Sequence, residues 1–186
     1  MELRNITFKE LFQHEETVFE EYHSVLKHLR PKKITKGKTN YNKLTDMTFG
    51  EVISIKLNLQ KPNYQAIVSI FKAVFGLTEE QVSGLNVVEF FHAFNWIKEE
   101  IVEIYNNEQK NLKGTTEPKL KEAGIERLNV FGDMNSLIML GKIYATPPHE
   151  VEKWNYLTVF SYLMYERISK EISDEYRRLT APKKTK

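Results

Sequence analysis

The sequence contains no cysteine. This absence excludes disulfide bonds, thiolate metal sites and cysteine nucleophiles, because each of them needs a thiol. It is also typical of proteins made in a reducing compartment, so we expect a cytoplasmic protein. The eight glycines are scattered singly, and they form neither a phosphate-binding loop nor a dinucleotide-binding fingerprint.

Long apolar runs are missing as well. No stretch approaches the roughly 18 uninterrupted apolar residues that a membrane helix needs, and the first residues, Met-Glu-Leu-Arg-Asn, mix both charges. We therefore expect no membrane partner. The formal net charge is only +2, which is too small to predict nucleic-acid binding by the chain as a whole.

Hydrophobic residues make up 41% of the 186 positions, and aromatic residues make up 12%. A chain of this length and composition can bury a core of ordinary size. Apolar residues recur at steps of three and four along most of the sequence, which predicts helices. We expect a mainly α fold, an irregular multi-helix bundle with long N- and C-terminal helices, that forms a single domain over residues 1–179.

The N-terminal helix is predicted from Thr7 to Arg30. Thr7 and Glu10 have the spacing of a capping box, in which each side chain accepts a hydrogen bond from the other residue's backbone N–H. Pro31 ends the helix, because proline disfavours helical geometry in the residue before it.

A basic segment follows this helix. Positive side chains dominate residues 27–43, and little in residues 31–43 can pack, so we predict an exposed linker or arm there. The arm could contact phosphate groups or an acidic protein surface, with Tyr41 as a stacking ring. A solvated lysine-rich linker is the simpler interpretation. The cations are Lys27, Arg30, Lys32, Lys33, Lys36, Lys38 and Lys43.

Capping patterns mark the starts of the central helices. Thr48 with Glu51 predicts a helix, although β-branched residues leave room for a strand over residues 52–59. Asn86 begins a longer helix, and the polar residues 107–125 predict a mobile loop after it.

The last helix is predicted from Asn155 to about Leu179, and residues 180–186 are expected to form a disordered basic tail. The apolar residues of this helix are assigned to one stripe: Tyr156, Val159, Phe160, Leu163, Met164, Ile168, Ile172 and Tyr176. An apolar helix face left uncovered would predict oligomerisation or partner binding. The aromatic residues predicted as partner contacts are Trp96, Trp154, Tyr156 and Phe160.

No pattern in the sequence predicts catalysis. No two histidines lie one helical turn apart, and His92, inside Phe-Phe-His-Ala-Phe, is expected to have a structural role. Glu99 and Glu103 share a helix face and could form an acid–base pair, but a solvated acidic face is the simpler interpretation. A nucleophile elbow is absent. We therefore expect that the protein is not an enzyme and that it has no catalytic residues, no cofactor and no metal. An enzyme with an unfamiliar site is the alternative.

Residues 131–177 resemble the C-terminal part of tail assembly chaperones of tailed bacteriophages. The shared pattern is a helix, a short break and a junction that leads into a long helix. Here the pattern is occupied by Val151, Trp154, Tyr156, Val159, Leu163 and Tyr165. Residues Leu44 to Ile55, with the sequence LTDMTFGEVISI, are similar to the start of small phage virion and assembly proteins.

The resemblance implies a non-enzymatic helical protein that coats a tape-measure protein until the tail tube protein replaces it. Such a chaperone needs an exposed apolar groove. Its implied partners are other phage structural or assembly proteins, with a homo-oligomer and a weak nucleic-acid contact as further expectations, in the host cytoplasm, in the virion or in both. The alternatives are a structural virion component (a neck or ring subunit, or a protein packaged in the capsid) and a nucleic-acid-binding regulator that uses residues 27–43.

Overall fold

The computed structural model describes residues 6–13, 23–35, 37–38, 41–114 and 118–181. This part of the chain is mainly α-helical, which confirms the predicted fold class. It contains no β-strand, and Thr7 and Asn86 form an isolated antiparallel bridge.

Besides a helical stretch at residues 23–26, the α-helices of the described residues are α1 (Phe8–Gln13), α2 (Phe49–Gln60), α3 (Tyr64–Phe75), α4 (Glu79–Ser83), α5 (Val87–Leu112), α6 (Pro118–Glu122), α7 (Met134–Ile143), α8 (Pro148–Val151) and α9 (Tyr156–Thr180). Short 3-10 helices span Leu44–Asp46 and Ile125–Phe131. The chain divides into two compact units, unit 1 (Met1–Tyr105) and unit 2 (Asn106–Lys186). Compactness alone does not show that either unit folds by itself, so a single domain over residues 1–179 stays a prediction.

The helices of unit 1 begin where the capping patterns place them. At α1, Thr7 N donates to Glu10 Oε2 at 2.7 Å and Glu10 N donates to Thr7 Oγ1 at 3.3 Å. The box formed by Thr48 and Glu51 has the same geometry, so residues 52–59 are helical and the strand alternative is wrong. These reciprocal bonds satisfy backbone donors that the first turn of a helix leaves free.

Helix α3 contributes many side chains to the core of unit 1. Asn63 caps its start, and Gly76 ends it in the left-handed conformation, with φ 65°. Most side chains between these ends are buried, and α3 packs on both α2 and α4. Phe71 stacks on Phe90 of α5 with ring centroids 5.0 Å apart, and Phe8 of α1 lies 4.1 Å from the same ring. This aromatic cluster joins three helices.

Unit 2 has a smaller core. Helix α7 packs on α8 and α9. The buried apolar side chains among the described residues of this unit are Leu137, Leu140, Val151, Tyr156, Val159 and Phe160. Asn155 Oδ1 accepts from Leu157 N at 2.9 Å, which confirms the predicted start of α9. Helix α9 continues to Thr180, and residues 182–186 of the predicted tail lie outside the described residues.

The N-terminal helix ends earlier than predicted. Residues 23–26 are helical, but residues 27–30 are not. The side chain of Asn95 donates to backbone carbonyls at this end, and it thereby satisfies acceptors that a continuing helix would use. Residues 14–22 lie outside the described residues, so the continuity of the helix stays a prediction.

The predicted mobile loop over residues 107–125 is wrong for most of its length. Helix α5 continues to Leu112, helix α6 follows, and a 3-10 helix starts at Ile125. Residues 115–117 lie outside the described residues.

Polar contacts explain why α5 continues through this polar stretch. Arg167 Nη1 of α9 donates to Asn111 O at 2.6 Å, and Asn111 Nδ2 donates to Asn107 O at 3.0 Å. A prediction from apolar spacing misses such a helix end, because its contacts with α9 are made by polar groups.

Candidate interaction surfaces

The basic segment is held against α5 in unit 1. Lys32 N donates to His92 O at 3.0 Å, and His92 Nδ1 lies 2.5 Å from Arg30 O. His92 therefore has the structural role that was predicted for it. Because both contacts use backbone atoms of the segment, they fix the path of the chain without engaging the charged groups of Arg30 and Lys32, which are exposed.

Asn95 follows His92 by one turn of α5 and is a buried polar side chain, 4% exposed. Its Nδ2 group, whose two N–H donors are shared among three acceptors, donates to the backbone carbonyls of Leu26 at 3.4 Å, Lys27 at 3.3 Å and Leu29 at 2.9 Å. Its Oδ1 atom has no hydrogen-bond partner within the part of the chain that the structure describes. Sequence reasoning missed Asn95, because a single asparagine in an apolar stretch forms no recognisable motif.

Acidic side chains of α5 hold the far end of the basic segment. Leu44 N donates to Glu100 Oε2 at 3.0 Å, and Lys43 Nζ lies 3.5 Å from Glu103 Oε1 in an exposed ion pair. Exposed pairs of this kind contribute little stability. The bond from the Leu44 backbone is therefore the stronger tie of the two.

Two further contacts lie in the middle of the segment. Lys33 Nζ donates to Tyr41 O and lies 5.9 Å from the ring centroid of Trp96. Gly37 has a φ of 124°, and a Cβ atom added to it would lie 1.9 Å from Phe75 O. Only glycine fits this close approach, because any side chain would collide with the backbone at the end of α3.

For the part of residues 31–43 that the structure describes, the predicted exposure holds, since no residue there is buried, but the prediction of a free arm is wrong. That part is docked on unit 1, although several cations still face solvent. The exposed cations of the segment are Lys27, Arg30, Lys32, Lys38 and Lys43. Lys36 lies outside the described residues.

The aromatic residues predicted as partner contacts have different surroundings. Trp96 is half-buried in unit 1, with its ring 6.0 Å from that of Phe75. Tyr156 is 1% exposed, Phe160 is also buried, and their rings stack at 6.2 Å in the core of unit 2. Neither ring can touch a partner in the folded unit, which corrects the prediction for both residues.

Trp154 lies in a cluster of three rings at the surface of unit 2. Its ring centroid is 6.1 Å from that of Tyr144 and 5.8 Å from that of Tyr162, and the two tyrosine rings stack at 4.8 Å. Trp154 is half-buried, and both tyrosines are exposed. A large, partly exposed aromatic cluster is typical of interface anchors, so Trp154 stays a candidate contact.

The hydroxyl group of Tyr156 ties α9 to the end of α5 within unit 2. It donates to Glu108 Oε1 at 2.9 Å. Burial raises the pKa of Tyr156 well above its ordinary value, and the neighbouring Glu108 carboxylate raises it further, because both disfavour the phenolate. The neutral phenol is therefore the favoured form in the folded unit.

We expect Tyr156→Phe to lower the free energy of unfolding by about 1 to 3 kcal/mol, because a hydrogen bond to a carboxylate is lost. In the wild type, the raised pKa of Tyr156 adds stability that is present in full below about pH 10 and is lost as the pH rises further, since the unfolded phenol then ionises first. The variant should lack this alkaline component. Urea unfolding at neutral and at alkaline pH measures both effects. Tyr105→Phe, at an exposed ring, is the control. Equal losses of unfolding free energy in the two variants would show that the hydrogen bond between Tyr156 and Glu108 does not stabilise unit 2.

Unit 2 exposes more large apolar side chains than it buries. Among the described residues, unit 2 exposes fourteen large apolar side chains and buries six apolar ones, whereas unit 1 exposes four and buries twenty-five. Of the exposed ones in unit 2, seven lie on residues 128–144 and seven along α9. Large exposed apolar patches mark interaction surfaces. Unit 2 is therefore the candidate interaction unit.

A groove of about 770 Å³ opens in unit 2. The apolar part of its lining is Leu112, Leu120, Ile125, Met139 and Leu163. Charged side chains of α9 border it, and they are Glu166, Arg167, Lys170, Glu171, Asp174, Glu175 and Arg178. An apolar lining with a rim of both charges suits an amphipathic helix.

The described residues contain no group of three or more His, Asp or Glu side chains placed to hold a metal ion. None of the helices that the structure describes has an apolar stretch long enough to cross a bilayer. Comparison with known protein families, with curated proteins and with solved structures finds no match to this chain.

Proposed function

We propose that this chain is a bacteriophage morphogenesis protein that acts by binding another protein, in the manner of tail assembly chaperones. The observation that carries the proposal is the excess of exposed over buried large apolar side chains in unit 2. Covering such a surface is favourable by about 25 cal/mol per Å². The segment that resembles the chaperones, residues 131–177, lies entirely within this unit.

We propose the groove of unit 2 as the binding site of the partner. The groove, at about 770 Å³, is comparable in size to about two turns of an α-helix, each of roughly 400 Å³. A partner helix would place its apolar stripe on Met139 and Leu163 and its charges against the rim of α9. Two turns of contact give modest affinity, which suits a chaperone that later hands its partner on.

Co-expression with the tape-measure protein of the same phage genome tests this proposal. We expect the two proteins to co-purify, and Met139→Glu to reduce the recovered complex at least about tenfold, because a charge then lies in the apolar lining. Leu57→Glu is the matched control, since it places the same charge at an exposed apolar position of unit 1. If neither variant reduces the recovered complex, or if both reduce it equally, the groove is not the binding site of the partner.

A permanent virion component is the alternative proposal within the same class. The same apolar surface of unit 2 supports it, because a neck, ring or packaged subunit also needs a contact surface. Mass spectrometry of purified particles separates the two. A chaperone should be absent from finished particles, whereas a virion component should be present in a fixed number of copies.

The nucleic-acid-binding regulator has less support, because the described basic segment is docked on α5 and Lys43 is paired with Glu103. Phosphate contacts by the exposed cations would give DNA binding that weakens steeply as the salt concentration rises. We expect only weak binding without a steep salt dependence.

A further inference from the structure

Helix α9 carries a continuous apolar face that points away from the core of unit 2. Its side chains are Tyr165, Ile168, Ile172, Tyr176 and Leu179, and they are from 45% to 73% exposed. They follow one another at steps of three and four, so they lie along one side of the helix. We call this set the outer face of α9. Of the charged residues of α9, Glu175 lies nearest to it, at its edge.

We infer that the outer face of α9 binds the same face of a second copy of this chain, with the two helices antiparallel. The size of the face supports this occupant. Its five side chains expose on the order of 600 Å², given the sizes of tyrosine and branched aliphatic side chains, which already equals the largest patches of ordinary monomers. With the neighbouring Tyr162, also exposed, the contact approaches the roughly 800 Å² per partner of a stable dimer.

The pattern along the face is self-complementary only when the helices are antiparallel. If Ile168 lies opposite Ile172 of the second copy, Glu175 lies opposite Tyr165 of the second copy, whose hydroxyl group can donate to the carboxylate. In the same register the large Leu179 lies opposite the small Ser161. A two-fold axis repeats each of these pairs, as a closed dimer requires.

A parallel pair lacks these advantages. It places Glu175 opposite Glu175 of the second copy, and like charges at a contact repel. The antiparallel pair also opposes the dipoles of the two helices favourably.

The dimer does not depend on the proposed function. Of the charged residues that border the groove of unit 2, Arg167, Lys170 and Asp174 lie by helical spacing on the side of α9 opposite the outer face, and only Glu175 lies at the edge of that face. A second copy on the outer face therefore leaves the groove open, and the two binding events can be measured separately.

Sedimentation equilibrium of the full chain at micromolar concentration tests the dimer. We expect the mass of two chains for the wild type and a roughly 100-fold weaker association for Ile172→Glu, because each copy then brings an unpaired carboxylate into the contact. Val102→Glu introduces the same charge at an exposed position of unit 1 and should leave the dimer intact. A wild type with the mass of one chain, or a dimer that Ile172→Glu does not weaken, would overturn the inference.

Cysteine cross-linking tests the direction of the helices, since the chain has no cysteine of its own. We expect a mixture of Ser161→Cys and Leu179→Cys chains to form the mixed disulfide on oxidation. Each variant alone should form little disulfide, because its two cysteines lie at opposite ends of the contact. Efficient cross-linking of Ser161→Cys with itself would show a parallel pair and overturn the antiparallel arrangement.

Discussion

Replacement of Phe90 by alanine is expected to lower the free energy of unfolding of unit 1 by about 3 to 5 kcal/mol. The side chain is 2% exposed, and its ring lies 4.1 Å from that of Phe8 and 5.0 Å from that of Phe71. Removing it leaves a cavity among helices α1, α3 and α5 and deletes the ring contacts that join them. Phe94 also stacks on Phe90, at 5.6 Å, so the surrounding rings cannot close the cavity without leaving their own contacts.

The two tryptophans allow the same variant to test the prediction of a single domain. Trp96 lies in unit 1 and Trp154 in unit 2, so Trp96→Phe and Trp154→Phe backgrounds each leave one fluorescent reporter. If residues 1–179 form one cooperative domain, Phe90→Ala shifts the urea midpoints seen by both reporters equally. A shift seen by Trp96 alone would contradict the single domain. Phe131→Ala, at an exposed ring of unit 2, is the control and should change either midpoint little.

The mainly α fold class and the first residues of the helices could be predicted from the sequence, because both depend on residues that are close together in the chain. The capping pairs of Thr7 with Glu10 and of Thr48 with Glu51 act over three positions, as does Asn63 at α3. Such local hydrogen bonds are the same in any fold that contains the helix. Their residue types and spacing are therefore sufficient evidence.

The docking of the basic segment could not be predicted in this way. Its ties to His92, Asn95 and Glu100 join residues more than fifty positions apart. Most of them use backbone atoms of the segment, which every residue possesses, so its sequence carries no sign of them. The lysines of residues 27–43 predicted an exposed arm because lysine side chains usually face solvent. The composition of a segment gives no information about the hydrogen bonds that its backbone forms.

The last helix shows a different limit. Apolar residues along α9 were assigned to one stripe, but Tyr156, Val159 and Phe160 are buried while Ile168 and Ile172 are exposed. The two sets lie on different sides of the helix, because a step of eight residues from Phe160 to Ile168 turns the helix by about 80°. The apolar residues of a helix therefore have to be grouped by their angle around the helix axis before a buried face is assigned. Grouping those of α9 in this way separates the residues in the core of unit 2 from those of the outer face.

Replacement of Asn95 by aspartate should cost about 3 to 5 kcal/mol at neutral pH, although the two side chains have almost the same shape. The Nδ2 group of Asn95 donates to three backbone carbonyls. An aspartate would turn a carboxylate oxygen toward them, so that a buried negative charge faces acceptors only. Burial and these oxygens would raise the pKa of the new carboxyl group. The loss relative to wild type should then shrink as the pH falls toward the ordinary aspartate value of about 4, because the protonated acid can donate again.

Asn63→Asp is the matched control for this substitution. Asn63 caps α3 only as an acceptor, with Oδ1 2.9 Å from Ala66 N, so aspartate serves there as well as asparagine. The same chemical change should thus be harmless at a cap and severe at a donor site. Urea unfolding at several pH values measures the difference.

Trypsin digestion gives a second readout, since loss of the Asn95 bonds frees the lysine-rich chain around Lys27, Lys32 and Lys33 for faster cleavage. Equal stability of the two variants would show that the three carbonyls do not depend on the Asn95 amide, and the basic segment would then have to be held by its other contacts with α5.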